Sequence, residues 1–195
     1  MDNKLKILKF LGKNIGKEFT MLELSKETKI SYATFYRTIH AMKDLVNMKV
    51  VGKSKILSLN TNNAITKSYL TISSDEEKNE FLKKHSIISK IYSEFETKDI
   101  IILFGSYAKG TQRENSDIDL LIINKKGDKS MSFSKYEIVF KKKINPIFVT
   151  NEEFKEMLEE KSENVGKQAL KAHIILNNPE SFWGNVLNGQ LQKII

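Results

Sequence analysis

The chain has 195 residues, of which 40% are hydrophobic and 29% charged, and its formal net charge is +8. That length allows one large domain or two small ones, and the absence of cysteine excludes disulfides and cysteine-based zinc sites and fits a cytoplasmic protein. No run approaches the roughly 20 apolar residues of a membrane span, and MDNKLKILKF lacks the apolar core and small-residue cleavage site of a signal peptide, so no membrane partner is expected.

The positive charge is concentrated at one end. Residues 1–60 hold twelve Lys/Arg against five Asp/Glu, whereas residues 61–195 hold twenty against nineteen. A basic end of this kind points to a nucleic-acid partner there. In chain order, Leu5, Ile7, Leu8, Leu11 and Ile15 form an approximate helical stripe that ends at Gly12 and Gly16. Thr20 then starts a second helix, with Glu23 completing a capping box. Ser31 begins a third, SYATFYRTIHAMKDLVNM, with Phe35, Ile39, Met42 and Leu45 on one face and Ser31, Tyr32, Thr34, Tyr36, Arg37 and Lys43 off it. Val50-Val51 and Ile56–Leu59 read as two short strands around the basic tip Gly52-Lys53-Ser54-Lys55.

Three helices followed by a basic hairpin, residues 1–60, resemble a winged helix-turn-helix domain. The resemblance implies that the third helix enters the major groove of duplex DNA with Tyr32, Thr34, Tyr36 and Arg37. Lys53 and Lys55 on the hairpin would touch phosphate. Such domains also serve as protein-contact modules, and the same polar set suits a merely solvated face. Winged helices often work as dimers, so a homodimer is among the expectations.

Residues 61–98 read as a helical connector. AITKSYLTI is a short helix in this reading, and Ser73-Ser74-Asp75-Glu76-Glu77 starts a second one with acidic residues at the positive end of its dipole. That second helix carries Phe81, Ile88, Ile91, Tyr92 and Phe95 as its buried stripe. His40, His85 and His173 are too scattered for a metal cluster and read as surface or partly buried helix residues.

The stretch Ile100 to Ile123, IIILFGSYAKGTQRENSDIDLLII, carries the chemistry. Its two apolar runs, Ile100–Phe104 and Leu120–Ile123, have the length and composition of strands buried on both faces. Alternation along a strand puts Asp117 and Asp119 on one side and Ile118 on the other. Two carboxylates held together call for a positive partner. Magnesium suits them, since it takes hard oxygen ligands and often needs only one or two carboxylates plus substrate phosphates. Gly105-Ser106 leaves the first strand where a glycine lets backbone approach a ligand, and the residues after it open a helix whose free N–H groups face an anion.

Gly105-Ser106, ten residues, then Asp117-Ile118-Asp119, framed by two buried strands, resembles the signature of the polymerase-beta-like nucleotidyltransferases. The closest likeness is to their minimal branch, which Ala108 and Gly110 also match. The resemblance implies an α+β fold in which residues 99–195 form a short mixed sheet flanked by helices, ending in C-terminal helices. It implies Mg2+ and a nucleoside triphosphate, ATP foremost, with Asp117 and Asp119 as catalytic metal ligands. Gly105 and Ser106 would bind the triphosphate, and Lys109 and Arg113 would add charge to it or remain solvated.

After Ile123 a polar loop is expected at 124–129, and SKYEIVFKKK fits helix and strand equally. INPIFV, Ile144–Val149, is the third strand, at an edge or bulge because Pro146 has no N–H. Helices capped by Thr150 or Asn151 and by Asn164 follow, the latter running through NVGKQALKAHIILNN, and then a last amphipathic segment, ESFWGNVLNGQLQKII. The family pattern has a third carboxylate on the next strand. The best-matching position is the neutral Asn145, unless SKYEIVF is that strand and Glu137 takes the role.

Three functions follow. An active transferase would move NMP from NTP to a protein or other acceptor, as antitoxin-like members of the minimal branch do with a HEPN-type toxin. A DNA-binding regulator would use a degenerate transferase domain only to bind nucleotide. An RNA-directed transferase would hold its acceptor on the basic N-terminal domain, although 195 residues leave little room for a tRNA-binding body.

Overall fold

The computed structural model describes residues 1–191. The chain divides into two compact units, Met1–Ser74 and Asp75–Gly189.

The first unit opens with α1 (Asn3–Lys13), β1 (Phe19–Thr20), α2 (Met21–Glu27) and α3 (Tyr32–Ala41), followed by β2 (Val46–Val51) and β3 (Ser54–Leu59). Thr20 caps α2 as expected: its hydroxyl accepts from Glu23 N, and Glu23 Oε2 accepts from Thr20 N at 2.7 Å. The Thr20 backbone N–H, and after it the Thr20 hydroxyl, hold the Glu23 carboxyl below the usual range. Leu8, Leu11, Leu24, Phe35, Ile39 and Leu57 are fully buried and form the core.

The hairpin is longer than expected. β2 and β3 pair antiparallel from Val46↔Leu59 to Val51↔Ser54. The turn is therefore the two residues Gly52-Lys53, with Gly52 at φ +60° as a tight hairpin requires. β2 takes up residues that the helical stripe had claimed, because α3 stops at Ala41 while Met42 and Leu45 stay buried beyond its end. The two-residue β1, not expected from sequence, pairs Phe19 with Leu57 and gives the sheet order β1-β3-β2.

The expected break near Ser73 does not occur. α4 (Ala64–Leu82) runs through it, and Ser73 and Ser74 are buried. Their hydroxyls bond to the carbonyls of Leu5 and Leu70 instead of capping a new helix. The break comes twelve residues later. His85 leaves helical geometry, stacks on the Phe81 ring and donates from Nδ1 to the Phe81 carbonyl, and α5 (Ser86–Tyr92) starts after it.

The second unit is built on β4 (Ile100–Phe104), β5 (Ile118–Ile123), β6 (Ile144–Val149) and β7 (Ile174–Asn177), in the order β6-β5-β4-β7. β4 runs antiparallel to β5 and β7, while β5 and β6 are parallel, so the sheet is mixed. Its helices are α6 (Gly105–Lys109), α7 (Ser134–Phe140), α8 (Asn151–Glu159), α9 (Val165–Lys171) and α10 (Pro179–Leu191). On one face Ile101, Leu103, Ile118, Leu120 and Ile122 pack with Ile88, Ile91, Tyr107, Phe133 and Tyr136. The alternate residues Ile100, Ile102, Leu121 and Ile123 are buried too, which explains why both strands are continuously apolar.

Several assignments are settled here. SKYEIVF is the helix α7, and β6 lies at the sheet edge with Pro146 in it, as expected. The helix capped by Asn164 stops at Lys171, and IILN forms β7 rather than continuing it. His173 is 1% exposed, more deeply buried than expected, and packs on Phe182 and Trp183 with Nδ1 donating to the carbonyls of Ala169 and Leu170. Residues 192–195 of the last amphipathic segment lie outside the described residues. Glu94 accepts from the Tyr136 hydroxyl at 3.0 Å and pairs with Lys135, tying the approach to β4 onto α7. The Lys135 hydrogen bond, then that from Tyr136, holds the Glu94 carboxyl below its usual range. The stability this adds is present above the unfolded carboxylate pKa and is lost as pH falls through the folded one. Among the described residues no helix is long and apolar enough to cross a membrane.

Candidate active site

β4 ends at Phe104 and the antiparallel β5 begins at Ile118, so the segment after one strand and the segment before the other emerge at the same end of the sheet. Gly105 and Ser106 form the first residues of α6, and both are half-buried. Gly105 has φ +69°, a left-handed conformation that glycine adopts without cost. It also has no room for a side chain. A Cβ there would overlap Asp119 Oδ2 and lie 3.1 Å from Asp119 Cγ. The glycine is therefore what allows the Asp119 carboxylate to lie against the backbone of the turn.

The aspartates converge as strand alternation predicts. Ile118 is fully buried beneath them, while Asp117 and Asp119 are half-exposed on the other side. Asp119 sits opposite Phe104 on one flank and Asn145 on the other. The Asn145 amide donates from Nδ2 to Asp117 Oδ2 and to Asp119 Oδ1, each at 3.2 Å. Lys143 brings its ammonium to 3.6 Å from Asp117 Oδ2.

Two sequence readings are decided by this geometry. Asn145 does occupy the register position beside the aspartates. Glu137 does not reach them: it lies on α7 and accepts from the backbone N–H of Ile144 at 2.9 Å, holding the start of β6 in place. Lys143 was missed from the sequence. Its signal is simple, since it lies two residues before Asn145 and so faces the same side. Lys109 and Arg113 are exposed, and the Arg113 backbone N–H donates to Ser116 Oγ in the turn that leads to Asp117.

The donor set suits a hard divalent cation: two half-exposed carboxylates on one side of a strand, one of them lying against the backbone of the Gly105 turn. Among the described residues no group of three or more His, Asp or Glu is placed to hold a metal. A cation at Asp117 and Asp119 would therefore need further oxygen ligands from a substrate or from water.

In the first unit, a cleft of about 440 Å³ is lined by Thr20, Met21, Leu22, Tyr32, Tyr36, Lys53, Ser54 and Lys55. It brings together four of the six residues read as nucleic-acid contacts. Lys55 lies over the Tyr36 ring, 5.2 Å from its centroid, and Tyr32 and Tyr36 are exposed. Thr34 is engaged by the Ser31 hydroxyl at 3.0 Å, and Arg37 is exposed without lining the cleft.

Comparison with known proteins bears on the second unit. No curated protein matches the chain. A crystal structure of a toxin-antitoxin with AMP-PNP is similar at 18% identity and a TM-score of 0.36, over 56% of this chain and 87% of that one. A family model described as nucleotidyltransferase domain matches residues 75–186, which include the whole sheet, the Gly105-Ser106 turn and both aspartates. Since that span is more than half of the 195 residues, the chain belongs to the nucleotidyltransferase domain family.

Proposed function

We propose that the chain is a magnesium-dependent nucleotidyltransferase that moves NMP from NTP, with ATP the foremost candidate, to an acceptor on a protein. The observation that carries this is the convergence of Asp117 and Asp119 beside the Cβ-free Gly105, where two adjacent strand ends meet. In the reaction an acceptor oxygen attacks the α-phosphorus in line. A new P–O bond forms, the bond from the α-phosphorus to the bridging oxygen breaks, pyrophosphate leaves with the electron pair, and the acceptor proton goes to water. Such chemistry needs positioning and charge neutralisation rather than a covalent enzyme intermediate.

Within this proposal Asp117 and Asp119 hold Mg2+, which when bound neutralises the triphosphate and polarises the phosphoryl group under attack. Gly105 and Ser106 receive the triphosphate against the turn, and Lys109 and Arg113 add positive charge at its rim. The protein acceptor follows from the likeness of the motif to the minimal branch, whose antitoxin-like members modify a partner toxin of HEPN type. To test it, α-labelled NTPs, magnesium and cell lysate are incubated with the chain. Label is expected on a protein acceptor, and an Asp117→Ala variant is expected to transfer none. Absence of transfer from all four NTPs would reject the proposal.

A second reading is favoured by one observation. The residue beside the aspartates is a neutral amide that already donates to both. It can neither carry a third negative charge nor accept a proton, so a domain that binds nucleotide without transferring it is the alternative, used by a DNA-binding regulator.

Both readings share a DNA-binding role for residues 1–60 as a winged helix. In it α3 enters the major groove with Tyr32, Thr34, Tyr36 and Arg37, and Lys53 and Lys55 on the β2–β3 hairpin contact phosphate. The basic charge of this end and the clustering of Tyr32, Tyr36, Lys53 and Lys55 around one cleft support it. Neutralising Arg37, Lys53 and Lys55 together is expected to weaken binding to duplex DNA and to reduce the slope of log K against log salt by about 2, near one unit each for the phosphates that Lys53 and Lys55 no longer neutralise. Unchanged retention at every salt concentration would remove the DNA-binding role.

A further inference from the structure

The two aspartates do not face solvent alone. Asn145 presents an N–H donor to both carboxylates, and the Lys143 ammonium stands beside Asp117. One side of the carboxylate pair is thus already occupied by nitrogen donors, and neither nitrogen can ligate a metal ion while it donates. The Asn145 oxygen would face a cation only if the amide turned over, which gives up both of its hydrogen bonds.

Charge gives the same answer. Asp117 and Asp119 contribute two negative charges and Lys143 one positive, leaving the pocket at one net negative. One divalent cation brings it to one net positive, a good match for an incoming triphosphate. Two divalent cations would sit about 3.5–4 Å apart in sites of this type and would bring it to three net positive, next to a lysine. Among the described residues no third carboxylate is at hand to bridge them.

We propose that this site takes a single divalent cation with the nucleotide, and that the Lys143 ammonium and Asn145 amide fill the side of Asp117 where a second would bind. The inference rests on the nucleotide-binding reading above. Lys143 and Asn145 are positioning residues in this scheme: they hold the carboxylates in place and decide how many metal ions the site accepts. Two residues on either side of Ile144, where β6 begins, thereby set the metal requirement of the domain.

The test is a Mn2+ titration of the full chain with α,β-methylene-ATP, read by electron paramagnetic resonance as bound metal per chain. One Mn2+ is the expected result. Two would overturn the inference and leave the nucleotide reading standing, whereas none would sink the nucleotide reading and the inference with it. A Lys143→Ala/Asn145→Asp double variant is expected to bind two; if it folds and still binds one, these residues are not what excludes the second ion. Lys143→Met, which keeps most of the side chain, gives an independent measure. Removing a half-screened charge beside Asp117 is expected to tighten the single Mn2+ site about fivefold, the upper end for an exposed ion pair. An unchanged dissociation constant would overturn the role given to Lys143.

Discussion

Gly105→Ala is expected to lower nucleotide affinity at least about 100-fold, nearly 3 kcal/mol at tenfold per 1.4 kcal/mol. Two costs combine. The left-handed φ of +69° is one that an L-residue occupies at a penalty of roughly 1–2 kcal/mol. The new methyl would also overlap Asp119 Oδ2, and the turn cannot yield easily, because Tyr107 is anchored in the core two residues later. The carboxylate must then swing away from the turn, and the site loses its cation and its phosphate seat together. Calorimetric titration with a non-hydrolysable NTP and Mn2+ measures the loss, and a thermal melt separates it from unfolding. Affinity within threefold of the parent chain would show that the close approach of turn and carboxylate is not needed.

Asp119→Asn tests the same contact from the other side. The substitution keeps the volume between Gly105 and Asn145 and removes one negative charge. Asp117 then remains as a lone carboxylate beside Lys143, and the pocket is neutral. Transfer of label from α-labelled NTP is expected to fall about 10³-fold, as when a preorganised electrostatic group is removed from a transition state, with little change in melting temperature. Activity within tenfold would place Asp119 outside the reaction. The two variants differ in a useful way. Alanine at 105 disturbs geometry with charge intact, while asparagine at 119 disturbs charge with geometry intact.

The parts of the fold that the sequence revealed are those with one dominant physical signal. Ile100–Phe104 and Leu120–Ile123 could hardly be anything but strands buried on two faces, and Thr20 with Glu23 announced its capping box. The convergence of Asp117 and Asp119 followed from strand alternation alone. Elements with competing signals were harder to read. IILN is as apolar as a helix end and follows a good helical run, so β7 was hidden until β4 supplied its pairing partner. Ser73 and Ser74 look like a cap, but burial against backbone carbonyls turns their hydroxyls inward. Phe19–Thr20 is too short to carry a period, and its strand pairing depends on Leu57, some forty residues away. At the site the sequence brought Asn145 to the right position without saying what its amide does there. Whether that amide donates to the carboxylates depends on the parallel register of β5 and β6, which no local pattern encodes.

The two outer strands of the mixed sheet also bear on how the domain meets other proteins. β6 contains Pro146, which offers no N–H, and β7 is four residues long, with Asn177 and Asn178 beyond its apolar part turned onto the carbonyls of Thr97, Lys98 and Asp99. An open sheet margin normally invites a foreign strand to add itself and continue the ladder. Here both margins are blunted, one by a missing donor and the other by brevity and by side chains that claim nearby backbone. The sheet is a closed unit as far as strand addition is concerned. A partner of this domain is therefore met by side chains rather than by an added strand.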